Sequence, residues 1–513
     1  MTGLTGRSAF PAPLDPHAVA DSRRQILQAA DEAIERGPFA PTWESLSGYH
    51  VPDWYTDAKF GIFIHWLAAS VPAYGNEWYP RTMYLEGTPE YSHHRQTYGD
   101  QASAGYKDFL PQFTAASFDA ADWMALFRRA GARYVVPVAE HHDGYHLGHT
   151  DLSRWSATRI GPTRDVLGEL KAAAAAEGLH FGLSSHRAEH WWFFRGGTRF
   201  DSDVRDPQWA DLYGPAQPKD TQPDEAFLDD WLARAVELVE RYDPELVFFD
   251  WWIEEPAFEP YRRKFAAYFY DHAAAAGHGT VINYKWEAFK PGTAVYDIER
   301  GAARDISPLP FQNDSSTSRI AWAYLTENEY KEADEIVIDL VDAVSKNGVL
   351  LLNIGPRPDG TIEPAERQLL EKIGDWMAVN GEAIYGTRPW LVHGEGPTMP
   401  PAGSFTDTAP PAFTPEDIRF TTRNDTLYAA VLNLAHGTTE VTIRSLATTL
   451  RLFDGDIAAA RLLGADEKLV FSRGTGGLTV SLPAWPGTSA VGVLRIDLLP
   501  AGPAPRAEPL IAE

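Results

Sequence analysis

Short runs of β-branched, aromatic and leucine residues recur along the first three-quarters of the chain, and each gives way abruptly to polar side chains. Tyr134-Val135-Val136-Pro137-Val138 breaks into His141-His142-Asp143-Gly144-Tyr145, and Leu246-Val247-Phe248-Phe249 breaks into Asp250-Trp251-Trp252. An apolar run of this length with polar bounds fits a strand buried on both faces. The pattern predicts strands over 60–65, 133–139, 180–184, 245–250, 280–283 and 349–354. Amphipathic stretches lie between them. Asp15 and Pro16 suit the cap and first turn of a helix that runs to about Arg36 and stops at Gly37-Pro38. Thr163 is the expected cap of a helix that carries Val166, Leu167 and Leu170 and ends at Gly178. Ile336, Val337, Leu340, Val341 and Val344 line one face of another, which stops at Asn347-Gly348. A third begins near Pro364, presents Leu369, Leu370, Ile373 and Trp376, and ends at Asn380-Gly381.

This alternation predicts an α/β fold with a parallel core over residues 54–390. An irregular (β/α) TIM-like barrel is preferred to a Rossmann sheet. No G-x-G-x-x-G follows a strand, and polar clusters follow several strands instead of marking one switch point. Residues 1–53 are expected to form an N-terminal arm and helix. Residues 391–416, rich in Pro, Gly, Thr and Ser, read as a linker. Beyond them short alternating runs predict an all-β sandwich over 417–500, with strands at 418–422, 427–432, 440–444, 468–471, 478–482 and 490–498. Arg423-Asn424-Asp425 is the expected turn of its first hairpin, and 501–513 a loose tail. The sandwich is expected to be structural, covering the barrel's flank.

With 513 residues the chain exceeds one ordinary core, in keeping with two domains. A formal charge of −26 argues against nucleic acid as a partner, because that interaction needs a positive surface to displace counterions. No stretch approaches the roughly 20 apolar residues of a membrane span. The sequence has no cysteine, which removes disulfides, thiol nucleophiles and thiolate metal sites. The N-terminus as written lacks the basic start and apolar core of a secretory leader. A cytoplasmic protein is therefore expected, and a homo-oligomer is compatible with the sequence. The 17 tryptophans have two readings, core packing and stacking platforms for the apolar faces of sugars.

Asp250 carries the most specific chemical signal. An aspartate at the rim of an apolar strand is costly to ionise unless its neighbours donate hydrogen bonds or positive charge. That investment suits a nucleophile or base, whereas a loop-capping aspartate is the plainer reading. The imidazoles of His141, His142, His146 and His149 could ligate zinc, donate to ligand hydroxyls or be structural. Their spacing matches no helical metal motif, and adjacent residues on a strand point to opposite sides, so the second reading is preferred. His65-Trp66, Asn76-Glu77-Trp78-Tyr79, the run from Ser184 to Trp192, Asn283-Tyr284-Lys285-Trp286-Glu287 and Tyr296-Asp297-Ile298-Glu299-Arg300 follow the other apolar runs. Polar and aromatic groups gathered at strand ends describe a polyhydroxylated ligand held by many directional bonds. Two carboxyls are the minimum for glycoside hydrolysis.

Several of these segments together resemble a known family. YTDAKFGIFIHW followed by SVPAYGNEWYPRTMY, GARYVVPVAEHHDGYHLGHTDLSRWSA, RDVLGELKAAAAAEGLHFGL, PELVFFDWW and VLLLNIGPRPDGTIEPAERQLLEKIGDWMAVNGEAIY are similar, in order, to the α-L-fucosidases of glycoside hydrolase family twenty-nine. The resemblance covers Trp54 to Trp390 and implies a retaining exo-α-L-fucosidase acting on fucosylated oligosaccharides, without metal or cofactor. It puts Asp250 at the nucleophile position and His65, Glu77, Trp78, His141 and His142 at sugar-contacting positions. Glu299 best matches the acid/base position, ahead of Glu287 and then Glu254. The two carboxyls of a retaining pair stand about 5–5.5 Å apart. The chain departs from the commoner pattern at Leu67, at Ser184-Ser185 and at Phe248. It also has Lys285 where an arginine usually approaches the nucleophile, and Lys285 can supply the charge without the forked geometry. Trp252 is expected to join the sugar-contacting set. A fucose-binding protein without catalysis and a metal-dependent hydrolase are the alternatives.

Overall fold

The computed structural model describes residues 10–407, 411–434, 437–465, 467–483 and 489–499. Eight strands close into a barrel with every neighbouring pair parallel: β1 (Phe60–Ile64), β2 (Tyr134–Glu140), β3 (His180–Ser185), β4 (Leu246–Phe249), β5 (Val281–Tyr284), β6 (Val295–Glu299), β7 (Phe311–Ser316) and β8 (Gly348–Ile354). The long helices among the described residues are α1 (Pro16–Arg36), α2 (Ala120–Ala130), α3 (Val166–Ala176), α4 (Glu225–Tyr242), α5 (Glu259–Ala276), α6 (Ala333–Ser345) and α7 (Pro364–Asn380). Helices α3, α4, α5, α6 and α7 follow β2, β3, β4, β7 and β8, whereas β5 and β6 are each followed by loop alone. That gap makes the barrel irregular.

Side chains alternate along each strand, so one face of every strand fills the barrel axis. Phe63, Val136, Val138, Phe248, Val295 and Leu351 pack there. The outer faces pack under the helices, with Val135, Leu183 and Leu352 meeting residues of α2, α3, α6 and α7. Asp15 caps α1 by accepting from the His17 amide, and Pro16 opens the helix, as its lack of an N–H allows. Helix α1 packs on α4 and α5. Asp165 caps α3 by accepting from the Gly168 amide, in place of the expected Thr163, whose φ of 54° marks a turn just before it.

Strands β6 and β7 were not foreseen. In Phe311-Gln312-Asn313-Asp314-Ser315-Ser316 every residue is buried though five of the six are polar. In β6 the buried positions include Asp297 and Glu299. The barrel axis at this side is a polar network, in which Gln312 donates to Asp297 (2.7 Å) and Tyr55 donates to Gln312 (3.1 Å). A hydrophobic pattern cannot report strands of that kind.

Beyond the barrel, a five-stranded antiparallel sheet and a three-stranded one face each other. The first joins β9 (Arg388–Glu395), β10 (Ile418–Arg423), β11 (Thr426–Val431), β13 (Asp456–Leu462) and β16 (Gly492–Leu499) in the order β13-β16-β11-β10-β9. The second joins β12 (Glu440–Ile443), β14 (Phe471–Gly474) and β15 (Gly477–Ser481) in the order β12-β15-β14. Ile418, Phe420, Leu427, Ile443, Leu478 and Ile496 pack between them. The β10–β11 hairpin turns at Asn424, with φ 54°, inside the predicted segment. Strand β13 was missed, and the strand expected at 468–471 starts only at Phe471. Strand β9 begins inside what reads as the barrel's end and linker, since Pro389 and Gly394 mask a run that has β10 as its partner. The expected tail, 501–513, lies outside the described residues.

A buried ion triad ties the two domains. Arg419 on β10 places Nε 2.6 Å from one oxygen of Asp342 on α6, and Lys346 places Nζ 2.6 Å from the other. Burial alone would keep Asp342 protonated, but Lys346 and Arg419 together hold its carboxyl below the usual range. Arg419→Ala leaves that charge half-compensated in a dry site, and a loss of ~3–5 kcal/mol in unfolding free energy is expected. Urea titration reads it directly; a variant within about 1 kcal/mol of the parent contradicts the assignment.

Candidate active site

A cavity of about 130 Å³ opens at the carboxyl ends of the barrel strands. Its floor is the top of the packed axis, Phe63 and Phe248. Two residues after an apolar axial side chain, the same face of the strand delivers a polar one. Phe63 leads in this way to His65, and Phe248 to Asp250. Lys285 follows β5, Glu299 ends β6, and Asp314 lies on β7. All five line the cavity together with Glu77, Trp78, His141, His142, His186, Trp251, Trp322 and Phe405. A larger cavity, about 250 Å³, lies between α6 and residues 400–407 and 411–413, but no pair of apposed imidazole and carboxylate lines it.

Asp250 faces two imidazoles. His142 Nε2 lies 3.3 Å and His186 Nδ1 3.1 Å from its Oδ2. Burial opposes the charge on Asp250, but His186 and His142 outweigh it and hold the carboxyl well below the usual range. The two rings do this differently. His142 is buried too, yet Glu189 and Asp250 hold its pKa up, and its Nδ1 reaches the His186 carbonyl oxygen at 2.9 Å and Glu189 Oε2 at 3.3 Å. Acceptors at both nitrogens favour its protonated form. His186 is pushed down by burial, and its Nε2 lies 2.6 Å from the Ser184 hydroxyl, so it faces Asp250 as a neutral ring. Ser184 thus has a part in orienting His186.

Glu299 lives in the opposite environment. Burial raises its pKa; Lys285 pulls it back and the Asp250 charge pushes it up again. Trp251 donates from Nε1 to Glu299 Oε2 at 2.8 Å. Lys285 Nζ lies 2.9 Å from each of Glu299, Asp297 and Asp314. One ammonium cannot neutralise three carboxylates, and burial and the neighbouring Asp297 charge push Asp314 well above the usual range.

The remaining walls suit hydroxyl groups. His65 is fixed by Asn353, whose Oδ1 lies 2.7 Å from Nδ1, and Asn353 in turn donates to Ser316 (3.1 Å) and to the Trp322 carbonyl (2.7 Å). Glu77 accepts from the Trp322 amide at 2.9 Å, and Trp78 stacks on His142 with centroids 5.0 Å apart. His141 and His142 both line the cavity, centroids 4.4 Å apart, because β2 ends at Glu140 and strand alternation no longer applies to them. The ring nitrogens of His65, His141 and His186 lie within 4.8 Å of one another, as do ligand atoms of His142, His186 and Asp250. Either trio could hold a transition ion; both could equally serve sugar hydroxyls. His146 and His149 lie elsewhere, the first with Nδ1 accepting from the Gly148 amide and the second paired with Asp151.

Three expected residues stand outside the cavity lining. Trp252 has φ 78°, which turns its ring onto Trp192 at 4.6 Å, and Trp251 takes the place beside the acid. Glu287 is exposed. Glu254 is half-buried, with its pKa pushed up to about 7 by burial. Conversely His186, Trp251, Asp314, Trp322 and Phe405 were not singled out. His186 and Trp251 sit in polar stretches that were flagged; Trp322 and Phe405 carry no local signal.

A closed parallel barrel whose strand-end cavity holds an Asp250–Glu299 carboxyl pair beside an aromatic wall is the arrangement of a barrel-type glycoside hydrolase. The family model described as alpha-L-fucosidase matches residues 26–382, and this chain belongs to that family. Among curated relatives, the tissue alpha-L-fucosidase of Mus musculus is 29% identical over 89% of this chain and 94% of its own length. The plasma alpha-L-fucosidase of Homo sapiens is 34% identical over 69% and 73%. The crystal structure of the Thermotoga maritima alpha-fucosidase with a mechanism-based inhibitor superposes with a TM-score of 0.72 at 26% identity, covering 90% of this chain and all of that one. The same protein with fucose gives 0.71 at 27%, over 89% and 99%.

Proposed function

We propose that the protein is a retaining exo-α-L-fucosidase in which Asp250 is the nucleophile and Glu299 the acid/base. The observation that carries the reading is the contrast between two carboxyls at one cavity, Asp250 held ionised by His142 and His186, Glu299 held towards its acid form by burial. Environments that push two carboxyl pKa values apart assign acid and base. Asp250 attacks the anomeric carbon as Glu299 gives its proton to the leaving oxygen, forming a fucosyl ester. Glu299, now ionised beside Lys285 and Trp251, takes a proton from water, which attacks the same carbon and frees Asp250. Lys285 stabilises the ionised form of Glu299 between the two steps.

His65, Glu77, Trp78, His141 and His142 are assigned to the sugar's hydroxyls and ring, and His186 joins them. The blind floor at Phe63 and Phe248 supports an exo enzyme, since the cavity admits a chain end and not a chain interior. The substrate class is the terminal fucoside of an oligosaccharide or glycoconjugate, and a cytoplasmic location remains the reading of the cysteine-free sequence. Release of nitrophenol from 4-nitrophenyl α-L-fucoside tests the activity; fucose binding without turnover of any fucoside contradicts it.

The same pair sets the pH profile. Glu299 must be protonated in the free enzyme, so kcat/KM falls as pH rises through its raised pKa. Asp250 must be ionised, and its depressed pKa moves the acid limb to well below the ordinary aspartate range. A profile flat on the acid side and falling on the basic side is expected, and Glu299→Gln removes the basic limb. Persistence of that limb in the variant assigns it to another group.

A further inference from the structure

Residues 403–407, between β9 and β10 of the sandwich, pass back over the mouth of the cavity. Gly403 exchanges backbone hydrogen bonds with Ala302 (2.9 and 3.2 Å), the Phe405 amide donates to the Glu299 carbonyl (2.7 Å), and the Thr406 and Asp407 amides donate to the Arg300 carbonyl (2.8 and 3.1 Å). Buried ion pairs clamp the same stretch, with Asp407 3.2 Å from Arg300 Nε and 2.7 Å from Lys331 Nζ. At Gly301 a Cβ would stand 1.9 Å from the Gly403 carbonyl oxygen, so only glycine admits the approach. The effect is to seat Phe405 at the rim, 46% exposed and with φ 59°. Trp286, which follows Lys285 on the neighbouring loop, is 49% exposed with φ 54°. Left-handed backbone is costly for a bulky side chain and is retained where the surroundings impose it. Both rings flank Trp251, at 5.9 Å and 6.2 Å between centroids and 80° between planes. Trp251 is the residue whose indole N–H holds Glu299.

We propose that Trp286, Trp251 and Phe405 form the binding wall for the leaving group, and that its occupant is a hexopyranose presenting a face of C–H bonds. The inference rests on Glu299 as the acid that meets the leaving oxygen. Whatever is bonded to that oxygen departs past Trp251, and the next surface outward is the two strained, exposed rings. A continuous aromatic patch at this point excludes water from one face of a sugar without asking for directional bonds, whereas the −1 cavity beneath it is lined by hydrogen-bonding groups. The wall is assembled from both domains, so the C-terminal sandwich shapes specificity by anchoring the strand-to-strand connection that carries Phe405.

The test compares α-L-fucosyl fluoride, whose leaving group is one atom, with α-L-fucosyl disaccharides whose leaving sugars are galactose and N-acetylglucosamine. Phe405→Ala and Trp286→Ala are each expected to lower kcat/KM for the disaccharides about tenfold more than for the fluoride, the loss typical of one desolvated aromatic anchor, with most of it in KM. Phe405→Tyr should restore the parental ratio. Equal losses on both substrate types, or none, overturn the wall, as does a parent enzyme that cleaves the fluoride and neither disaccharide. A parent that cleaves no fucoside at all instead removes the reading of the catalytic pair.

Discussion

Asp250→Asn is expected to lower kcat roughly 10⁴–10⁶-fold, the scale on which loss of a covalent nucleophile is felt, while the fold persists. The size follows from what the side chain does. No other carboxyl lines the cavity with a pair of imidazoles aimed at it, and the amide has neither the charge nor the nucleophilicity to form the ester. Stability should survive because the amide oxygen can still accept from His142, and the strand beneath, Leu246 to Phe249, is held by apolar burial and by pairing with β3 and β5. Single-turnover kinetics on an aryl fucoside, with circular dichroism as the control for folding, read the effect. A variant within tenfold of the parent contradicts the nucleophile's assignment.

Glu299→Ala should show a second large loss with a different signature. General acid catalysis contributes roughly 10²–10⁴-fold, and most where the leaving group is a poor one. The variant is therefore expected to lose far more rate on a fucosyl disaccharide than on a dinitrophenyl fucoside, whose phenolate leaves without protonation. With the activated substrate the deglycosylation step becomes limiting, and azide, which needs no base, should restore turnover and yield a fucosyl azide of inverted configuration relative to the ester. Equal losses across leaving groups with no azide rescue place the acid elsewhere. Glu287 is exposed and Glu254 stands off the cavity lining, so neither is placed to substitute.

How much of this was legible in the sequence depended on whether burial was apolar. The strands 60–65, 133–139, 180–184, 245–250, 280–283 and 349–354 announce themselves because each fills the axis or the helix layer with aliphatic and aromatic residues, and the structure has a strand at each. Strands β6 and β7 do the same job with Asp297, Glu299, Gln312 and Asp314, whose burial is balanced by Lys285 and by one another, and polarity hides them. The site followed the same rule. Groups that continue an apolar run, His65, His141, His142 and Asp250, could be picked out locally. Trp322 and Phe405 arrive from loops whose course depends on tertiary contacts, such as the Arg300–Asp407 pair, and nothing in their own neighbourhood marks them. Trp252 shows the limit of adjacency: one step along the chain from Trp251, a left-handed backbone sends it to the opposite side.

The covalent fucosyl-enzyme on Asp250 can be trapped and located directly. The enzyme is incubated with 2-deoxy-2-fluoro-α-L-fucosyl fluoride, whose electron-withdrawing substituent slows release of the ester more than its formation, and then examined by intact mass and peptide mapping. One 2-fluorofucosyl group on the peptide containing Asp250, absent in Asp250→Asn and lost with recovery of activity on adding an acceptor sugar, is the predicted result. Label on any other residue, or no label from an enzyme that cleaves fucosides with inversion, would contradict it.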